Sequence, residues 1–157
     1  MKITLRKIDE YNRAECESLQ VSGDQSQYIA SNADSLKEAA ENAEVARTFA
    51  IACDDRIVGF TMFAFDENNE DPADRYWLWR FMIDAPLQGK GYGSAALKEI
   101  IQYFKEHGAD QITLSTKESN MTALSLYHRY GFKENGDRND EEIVLKLQLD
   151  SDLREGV

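Results

Sequence analysis

A chain of 157 residues with a formal net charge of −11 is most simply a single domain, spanning 1–157, that builds one hydrophobic core. The excess of carboxylates argues against nucleic acid as a partner, because its phosphates would be repelled, and it suits a cationic ligand. No stretch approaches the ~20 apolar residues that span a bilayer, and 1–10 lacks the apolar run of a signal peptide, so a cytoplasmic protein without membrane contact is expected. Cys16 and Cys53 match no metal spacing and are interpreted as reduced thiols.

The spacing of apolar residues predicts helices and strands that alternate along the chain. In chain order these are a strand at 3–8, helices at 9–21 and 35–46, a hairpin of strands at 48–53 and 57–65, a strand at 76–84, a helix that ends near 107, a strand at 111–116, a short helix at 121–130 and a strand at 143–149. The helix before residue 107 is the clearest, because its apolar residues between 97 and 104 form one stripe. Asp34 or Ser35 is predicted to cap the second helix.

The densest glycine cluster, QGKGYGS at 88–94, joins a strand to an amphipathic helix. Such a unit directs unpaired backbone N–H groups and the positive end of the helix dipole at one point, which suits an anion, usually phosphate. Lys90 would add charge at the rim. The spacing does not fit the P-loop, because Lys90 is followed by Gly91, and G-x-G-x-G is not the dinucleotide fingerprint. A flexible surface turn is the alternative interpretation.

Two motifs resemble the GNAT family of N-acetyltransferases. Residues 88–93, QGKGYG, match its Q/R-x-x-G-x-G/A signature, and NMTALSLYHRYGF at 120–132 falls in the family's order. The resemblance covers 3–149 and is strongest to bacterial spermine/spermidine acetyltransferases. It implies the α/β GNAT fold, a mixed and mostly antiparallel central sheet with a splayed parallel strand pair and helices on both faces. It also implies acetyl-coenzyme A as co-substrate, no metal, and a small amine, expected to be a polyamine, as acceptor.

The resemblance further implies where acetyl-coenzyme A binds. The pantetheine arm would lie beside the backbone of Phe81, Met82 and Ile83, where an amide near Met82 could polarise the thioester carbonyl. The pyrophosphate would lie on the loop formed by Gln88, Gly89, Lys90, Gly91, Tyr92, Gly93 and Ser94. Asn120 would hold the pantetheine, cap the helix that follows it, or do both.

Acetyl transfer to an amine needs a neutral nucleophile and a proton for the departing thiolate. At pH 7 only about 10⁻³ to 10⁻⁴ of a primary amine is neutral, so a base or a water chain would help. The candidates are Glu38, Glu41 and Asp84, and each is also interpretable as a surface charge. Tyr127 occupies the family's general-acid position, so the resemblance implies that it protonates the thiolate. Spacing alone leaves a packing role for Tyr127 open.

A polyamine site needs spaced carboxylates and aromatic walls. The loop DENNEDPADR at 66–75, with Asp66 and Glu67, precedes the cofactor strand and is predicted to reach the acceptor side together with Tyr28 and Trp79. The alternative for an acidic loop is a solvated turn. Trp79 departs from the polar residue that polyamine-type relatives tend to carry there.

Three functions therefore stay open on the sequence. They are a polyamine N-acetyltransferase, an acetyltransferase for another amine such as an aminoglycoside, an amino acid or a protein N-terminus, and a non-catalytic module that binds acetyl-coenzyme A. Relatives often form dimers, and the apolar strand at 143–149 could pair across a two-fold axis in a homodimer. Tyr130 and Phe132 are interpreted as core residues.

Overall fold

A seven-stranded mixed sheet forms the centre of the computed structural model, which describes residues 2–20 and 31–149. In chain order the elements are β1 Ile3–Lys7, α1 Arg13–Glu17, α2 Asn32–Glu41, β2 Ala46–Cys53, β3 Arg56–Phe65, β4 Tyr76–Ile83, α3 Tyr92–Glu106, β5 Gln111–Thr116, α4 Met121–Arg129, β6 Lys133–Asn139 and β7 Glu142–Gln148. The sheet order is β1-β2-β3-β4-β5-β7-β6, and β4–β5 is the parallel pair. The predicted mixed, mostly antiparallel sheet is confirmed.

The two N-terminal helices differ most from the prediction. The helix predicted at 9–21 is wrong in length, because Asp9 accepts hydrogen bonds from the backbone N–H groups of Tyr11 and Asn12 at 2.8 and 3.0 Å and so forms a turn before α1. The second helix begins at Asn32, because Ser31 Oγ accepts from the backbone N–H of Asp34 at 3.1 Å. The predicted capping residues of that helix lie inside it.

The strand β6 was not predicted from the sequence. Its residues, KENGDRN, are all exposed and show no apolar alternation. It is held as an edge strand by pairing with β7, which itself pairs with β5 on its other side. The predicted pairing of the C-terminal strand across a two-fold axis is therefore wrong, since β7 has no free edge.

Helices cover both faces of the sheet, as predicted. α3 and α4 pack on the larger core, in which Phe63, Phe104 and Leu114 are fully buried. α1 and α2 cover the opposite face over Phe60 and Met62. Among the described residues, no helix combines the length and the apolar character needed to cross a membrane.

Both cysteines carry free thiols, as interpreted from the sequence. Cys16 is the fully buried residue of α1, and Cys53 is partly buried at the end of β2. Burial, with the nearby Glu15 and Glu17 as smaller causes, raises the pKa of the Cys16 thiol to about 12. Cys16 is therefore a small apolar core residue at neutral pH.

The parallel strands β4 and β5 separate soon after they meet. Within the described residues their ladder holds the single pair Trp77 and Thr113. The 66–75 loop packs there, since its backbone carbonyls accept from Gln111 Nε2 at 3.0 Å and Thr113 Oγ1 at 3.1 Å. Two positions after Trp77, Trp79 has no partner on β3, so β4 bulges and changes direction. The predicted splayed parallel pair is confirmed.

Candidate active site

A cleft of about 1490 Å³ opens where β4 and β5 diverge. Its floor is the C-terminal part of β4, and its walls come from the glycine loop, the end of β5, α4, the β6–β7 turn and α2. Residues that line it include Glu38, Trp79, Arg80, Phe81, Ile83, Gly89, Ser94, Asn120, Tyr127, Asp140, Glu141 and Glu142. The cleft therefore joins the predicted cofactor strand, glycine loop and Tyr127 helix in one space.

The edge of β4 that faces the cleft has backbone groups that pair with no strand in the described part of the chain. The backbone N–H of Asp84 donates to Val58 O on β3 at 2.8 Å. Because hydrogen bonding alternates along an antiparallel ladder, Met82 also directs its N–H and C=O to β3, whereas Phe81 and Ile83 direct theirs to the cleft. Gln88 Nε2 donates to Ile83 O at 3.0 Å and ties the loop to the strand. The amides at the cleft thus belong to Phe81 and Ile83 rather than to Met82.

The glycine loop presents a row of backbone N–H groups. Gly89 and Gly91 have φ values of 78° and 90°, which favour glycine, and Gly91 is the N-cap of α3 without a side-chain capping bond. None of the N–H groups from Gly89 to Ser94 donates to a partner within the described parts of the chain. A row of free N–H groups at a helix N-terminus suits an anion. The glycines of the loop line the cleft, whereas Lys90 and Tyr92 do not.

Tyr127 is a buried phenol on the wall of the cleft. Its side chain is 8 % exposed, and its ring lies 5.6 Å from that of Phe132. Burial raises the pKa of Tyr127 above its ordinary value of 10.0. No described residue forms a hydrogen bond with its hydroxyl, so the phenol is protonated at neutral pH and available as a donor to a ligand.

Asn120 closes the start of the same helix. Its Oδ1 accepts from the backbone N–H of Ala123 at 3.5 Å, and the side chain is buried against Thr116. The capping role predicted for Asn120 is therefore present, and Asn120 also lines the cleft. Phe132 is a core residue, as interpreted from the sequence, whereas Tyr130 is half-buried and bonds to Ser94.

The predicted acceptor residues are not all brought to the cleft. Trp79 lines it, whereas Asp66 and Glu67 do not. Asp66 accepts from Asn69 Nδ2 at 3.2 Å, and Glu67 lies 3.5 Å from the hydroxyl of Tyr76. Both carboxylates therefore contact residues of the loop or of the strand that follows it. Tyr28 lies outside the described residues.

The three candidate bases also differ in whether they line the cleft. Glu38 lines the cleft and forms a 2.7 Å ion pair with Arg80 Nη2. Asp84 instead accepts from the backbone N–H of Gln20 at 2.8 Å, and neither it nor Glu41 lines the cleft. Of the three, Glu38 is the one that lines the cleft, where its carboxylate is paired with Arg80.

The carboxylates that sequence reasoning missed lie on the β6–β7 turn. Asp140, Glu141 and Glu142 line the cleft opposite β4, and Glu142 Oε1 accepts from Ser115 Oγ at 2.6 Å. The run RNDEE at 138–142 contains a turn-forming Asn-Asp pair next to a strand, which could have indicated a hairpin. Its approach to β4 depends on the pairing of β7 with β5, which no local pattern specifies.

Comparisons with known proteins agree with this geometry. The family model described as the acetyltransferase (GNAT) family matches residues 5–132. A spermine/spermidine N(1)-acetyltransferase of Bacillus subtilis is 38% identical over 151 residues, covering 93% of this chain and 99% of the relative.

Two solved structures share the fold. A spermidine N-acetyltransferase from Vibrio cholerae, in complex with CoA and spermine, has a TM-score of 0.68 and 17% identity, and the match covers 94% of each chain. An aminoglycoside acetyltransferase in complex with coenzyme A has a TM-score of 0.76 and 16% identity, covering 99% of this chain and 100% of that one. At these identities the likeness is one of fold.

Proposed function

The chain belongs to the acetyltransferase (GNAT) family, and from this premise we propose that it transfers an acetyl group from acetyl-coenzyme A to a primary amine of a polyamine such as spermidine or spermine. The observation that carries the polyamine is the 38% identity to a spermine/spermidine acetyltransferase across nearly the whole of both chains. The cleft adds chemical support, because a polycation needs the carboxylates and aromatic walls that line it.

The residues present fit acetyl-coenzyme A. The free N–H groups from Gly89 to Ser94 suit its diphosphate. The backbone N–H groups of Phe81 and Ile83, which β4 directs to the cleft, suit the amide-rich pantetheine arm. Acetyl-coenzyme A supplies the activated thioester. The chain supplies the donors that hold it and the cleft that brings an amine to it.

The chemistry assigned to this chain has three parts. The amine nitrogen attacks the thioester carbonyl carbon, and a backbone N–H of Phe81 or Ile83 stabilises the negative charge that develops on the carbonyl oxygen. The C–S bond then breaks, and Tyr127 donates a proton to the sulfur. The proton lost by the amine passes to a base or to water. Glu38, which lines the cleft in its ion pair with Arg80, is the base in this proposal.

The acceptor is recognised by charge in this proposal. Glu38 lies on one side of the cleft, and the three carboxylates of the β6–β7 turn lie on another. A polyamine has several ammonium groups separated by alkyl spacers, so it can meet carboxylates at intervals while its spacers contact Trp79. An amino acid or a protein N-terminus lacks this repeated charge.

The experiment that tests the proposal is an amine panel with acetyl-coenzyme A, in which release of free coenzyme A thiol is measured. Spermidine and spermine should give kcat/KM at least about 10-fold above those of aminoglycosides, amino acids and an alanine-terminated peptide. If an aminoglycoside is preferred and polyamines give only the background rate, the polyamine assignment is wrong. An aminoglycoside is the informative competitor, because it is also a polycation and its acetyltransferase shares this fold.

A further inference from the structure

We propose that Tyr130 is a positioning residue for the diphosphate of acetyl-coenzyme A, and that it acts by holding the hydroxyl of Ser94 ready to donate to a phosphate oxygen. The inference rests on the proposed function, since it assumes that the glycine loop binds a diphosphate. Tyr130 itself does not line the cleft, whereas Ser94 does. The role of Tyr130 is therefore exerted through Ser94.

A pair of hydroxyl groups connects the two helices of the site. Tyr130 is the C-cap of α4, and Ser94 lies in the first turn of α3. The two side-chain oxygens are 2.6 Å apart, and the Tyr130 oxygen is also 3.1 Å from the Ser94 carbonyl oxygen. Tyr130 thus has two acceptors within reach on one residue.

The phenol has one proton for these two acceptors. When Tyr130 donates to the Ser94 carbonyl, the Ser94 hydroxyl donates in turn to the Tyr130 oxygen. When Tyr130 donates to Ser94 Oγ, the Ser94 proton is released for a third group. Only the hydroxyl rotors differ between the two states, so the exchange needs no movement of either helix.

A bound diphosphate selects the second state. Phosphate oxygens accept hydrogen bonds and do not donate, and the Ser94 N–H is the last of the six free amides from Gly89 to Ser94. The Ser94 hydroxyl, on the same residue, is then close to a phosphate that those amides bind. Because Tyr130 donates to its oxygen, the Ser94 hydroxyl becomes a more polarised donor to that charge.

Without the phenol, Ser94 has a different local partner. A serine in the first turn of a helix readily bonds to the backbone carbonyl of the preceding turn. In Tyr130→Phe this competing bond would turn the Ser94 hydroxyl away from the ligand. Loss of a hydrogen bond to a charged group weakens binding by about 10-fold, so the coenzyme A Kd should rise by that order.

The test measures coenzyme A binding by calorimetry for the wild type, Tyr130→Phe, Ser94→Ala and the double variant. Each single variant should raise Kd by about 5- to 10-fold, and the double variant should bind no more weakly than Ser94→Ala alone, because both changes remove one shared contact. Ser94→Thr keeps the hydroxyl and should bind like the wild type. Tyr103→Phe is the matched control. Tyr103 lies elsewhere on α3, and its hydroxyl accepts a hydrogen bond from Arg47 rather than contacting Ser94.

A merely structural role would give another result. If Tyr130 only braces α4, Tyr130→Phe should lower kcat by displacing Tyr127, and acetyl-pantetheine, which lacks the diphosphate, should lose rate by the same factor. The positioning role predicts a raised acetyl-coenzyme A KM, kcat within about 2-fold of wild type, and an unchanged kcat/KM for acetyl-pantetheine.

The outcomes separate the inference from the proposed function. A wild-type chain that binds no coenzyme A overturns both. A wild type that binds coenzyme A, together with a Tyr130→Phe variant of equal Kd, overturns only the inference. Multiplicative losses in the double variant also overturn it, because they would show that Tyr130 and Ser94 act separately.

Discussion

Tyr127 combines a packing role in the core with the general-acid role that we propose for it. Its ring contacts Phe132 in the core, and the burial that secures the ring also raises the pKa of the phenol. A phenol is a weaker acid than a thiol, whose ordinary pKa is about 8.5, so complete proton transfer is uphill when the thiolate is solvated. Desolvation of the leaving thiolate in the same cleft raises the pKa of the thiol as well, and this narrows the difference in pKa between the phenol and the thiol.

We expect Tyr127→Phe to lower kcat by on the order of 10²-fold, because the departing sulfur loses its proton donor. The measurement is steady-state release of coenzyme A thiol at saturating amine. The Kd for coenzyme A should change little, since the ring and its core contacts are retained. An unchanged kcat would mean that solvent or another group protonates the thiolate.

The pH profile gives a second expectation for Tyr127. Because burial raises its pKa, the phenol stays protonated below its ordinary value of 10.0 and loses its proton only at still higher pH. The kcat of the wild type should therefore show no alkaline decrease from this group between pH 7 and about 10. A decrease in that window that Tyr127→Phe abolishes would contradict the assignment.

At the scale of elements, β3 and β4 approach each other unusually closely at Gly59. A Cβ atom added there would lie 2.4 Å from the carbonyl oxygen of Met82 and 3.0 Å from the side chain of Ile83. The contact lies beside the stretch of β4 whose free edge faces the cleft. Because glycine has no side chain, Gly59 allows β3 to lie close against this part of β4.

We expect Gly59→Ala to lower the free energy of unfolding by about 1–3 kcal/mol or more, because neither the methyl group nor the backbone carbonyl can move away cheaply. Urea denaturation measures the change. Gly93→Ala is the matched control, since its Cβ would lie 3.7 Å from Leu126 in ordinary van der Waals contact. Stability of Gly59→Ala equal to that of Gly93→Ala would show that the strands separate without cost.

The β6–β7 turn and the 66–75 loop make opposite predictions about acceptor binding. Glu141 lines the cleft, whereas Glu67 does not. We expect Glu141→Gln to raise the spermidine KM by about 2- to 5-fold, the effect of one partly exposed ion pair, and Glu67→Gln to leave it unchanged. Both variants lose one negative charge, so a difference between their spermidine KM values in initial-rate kinetics reflects where the carboxylate lies and not the change in net charge. The reverse pattern would restore the acceptor site predicted from the sequence.

At the scale of the molecule, helices and strands were predicted from the sequence more accurately than the way the strands pair with one another. Apolar spacing identified β5 with its observed bounds, and the glycine motif identified the start of α3. The bulge at Trp79 and the exposed strand β6 were missed, because both arise from pairing between distant segments rather than from local pattern. The acceptor carboxylates were consequently sought in the loop next to β4 in sequence, whereas the acidic residues that line the cleft include 140–142.

The net charge of −11 should affect the two substrates in opposite directions. A polycationic amine is attracted and anionic acetyl-coenzyme A is repelled, and added salt screens both effects. Between 50 and 500 mM NaCl we expect kcat/KM for spermidine to fall by about 3-fold or more and that for acetyl-coenzyme A to hold or rise. Parallel decreases would indicate a general loss of activity and not screening.

Across residues 2–20 and 31–149, β4 and β5 share a single paired position, Trp77 with Thr113, and this leaves a gap inside the sheet, here called the seam. A pantetheine arm lodged in that seam would bridge β1–β4 to β5–β7 and so bind the native chain far better than the unfolded one. Resistance to heat and to proteases would then increase with the logarithm of the acetyl donor's concentration. The lifetime of this protein in a cell would consequently follow the supply of the metabolite that it consumes.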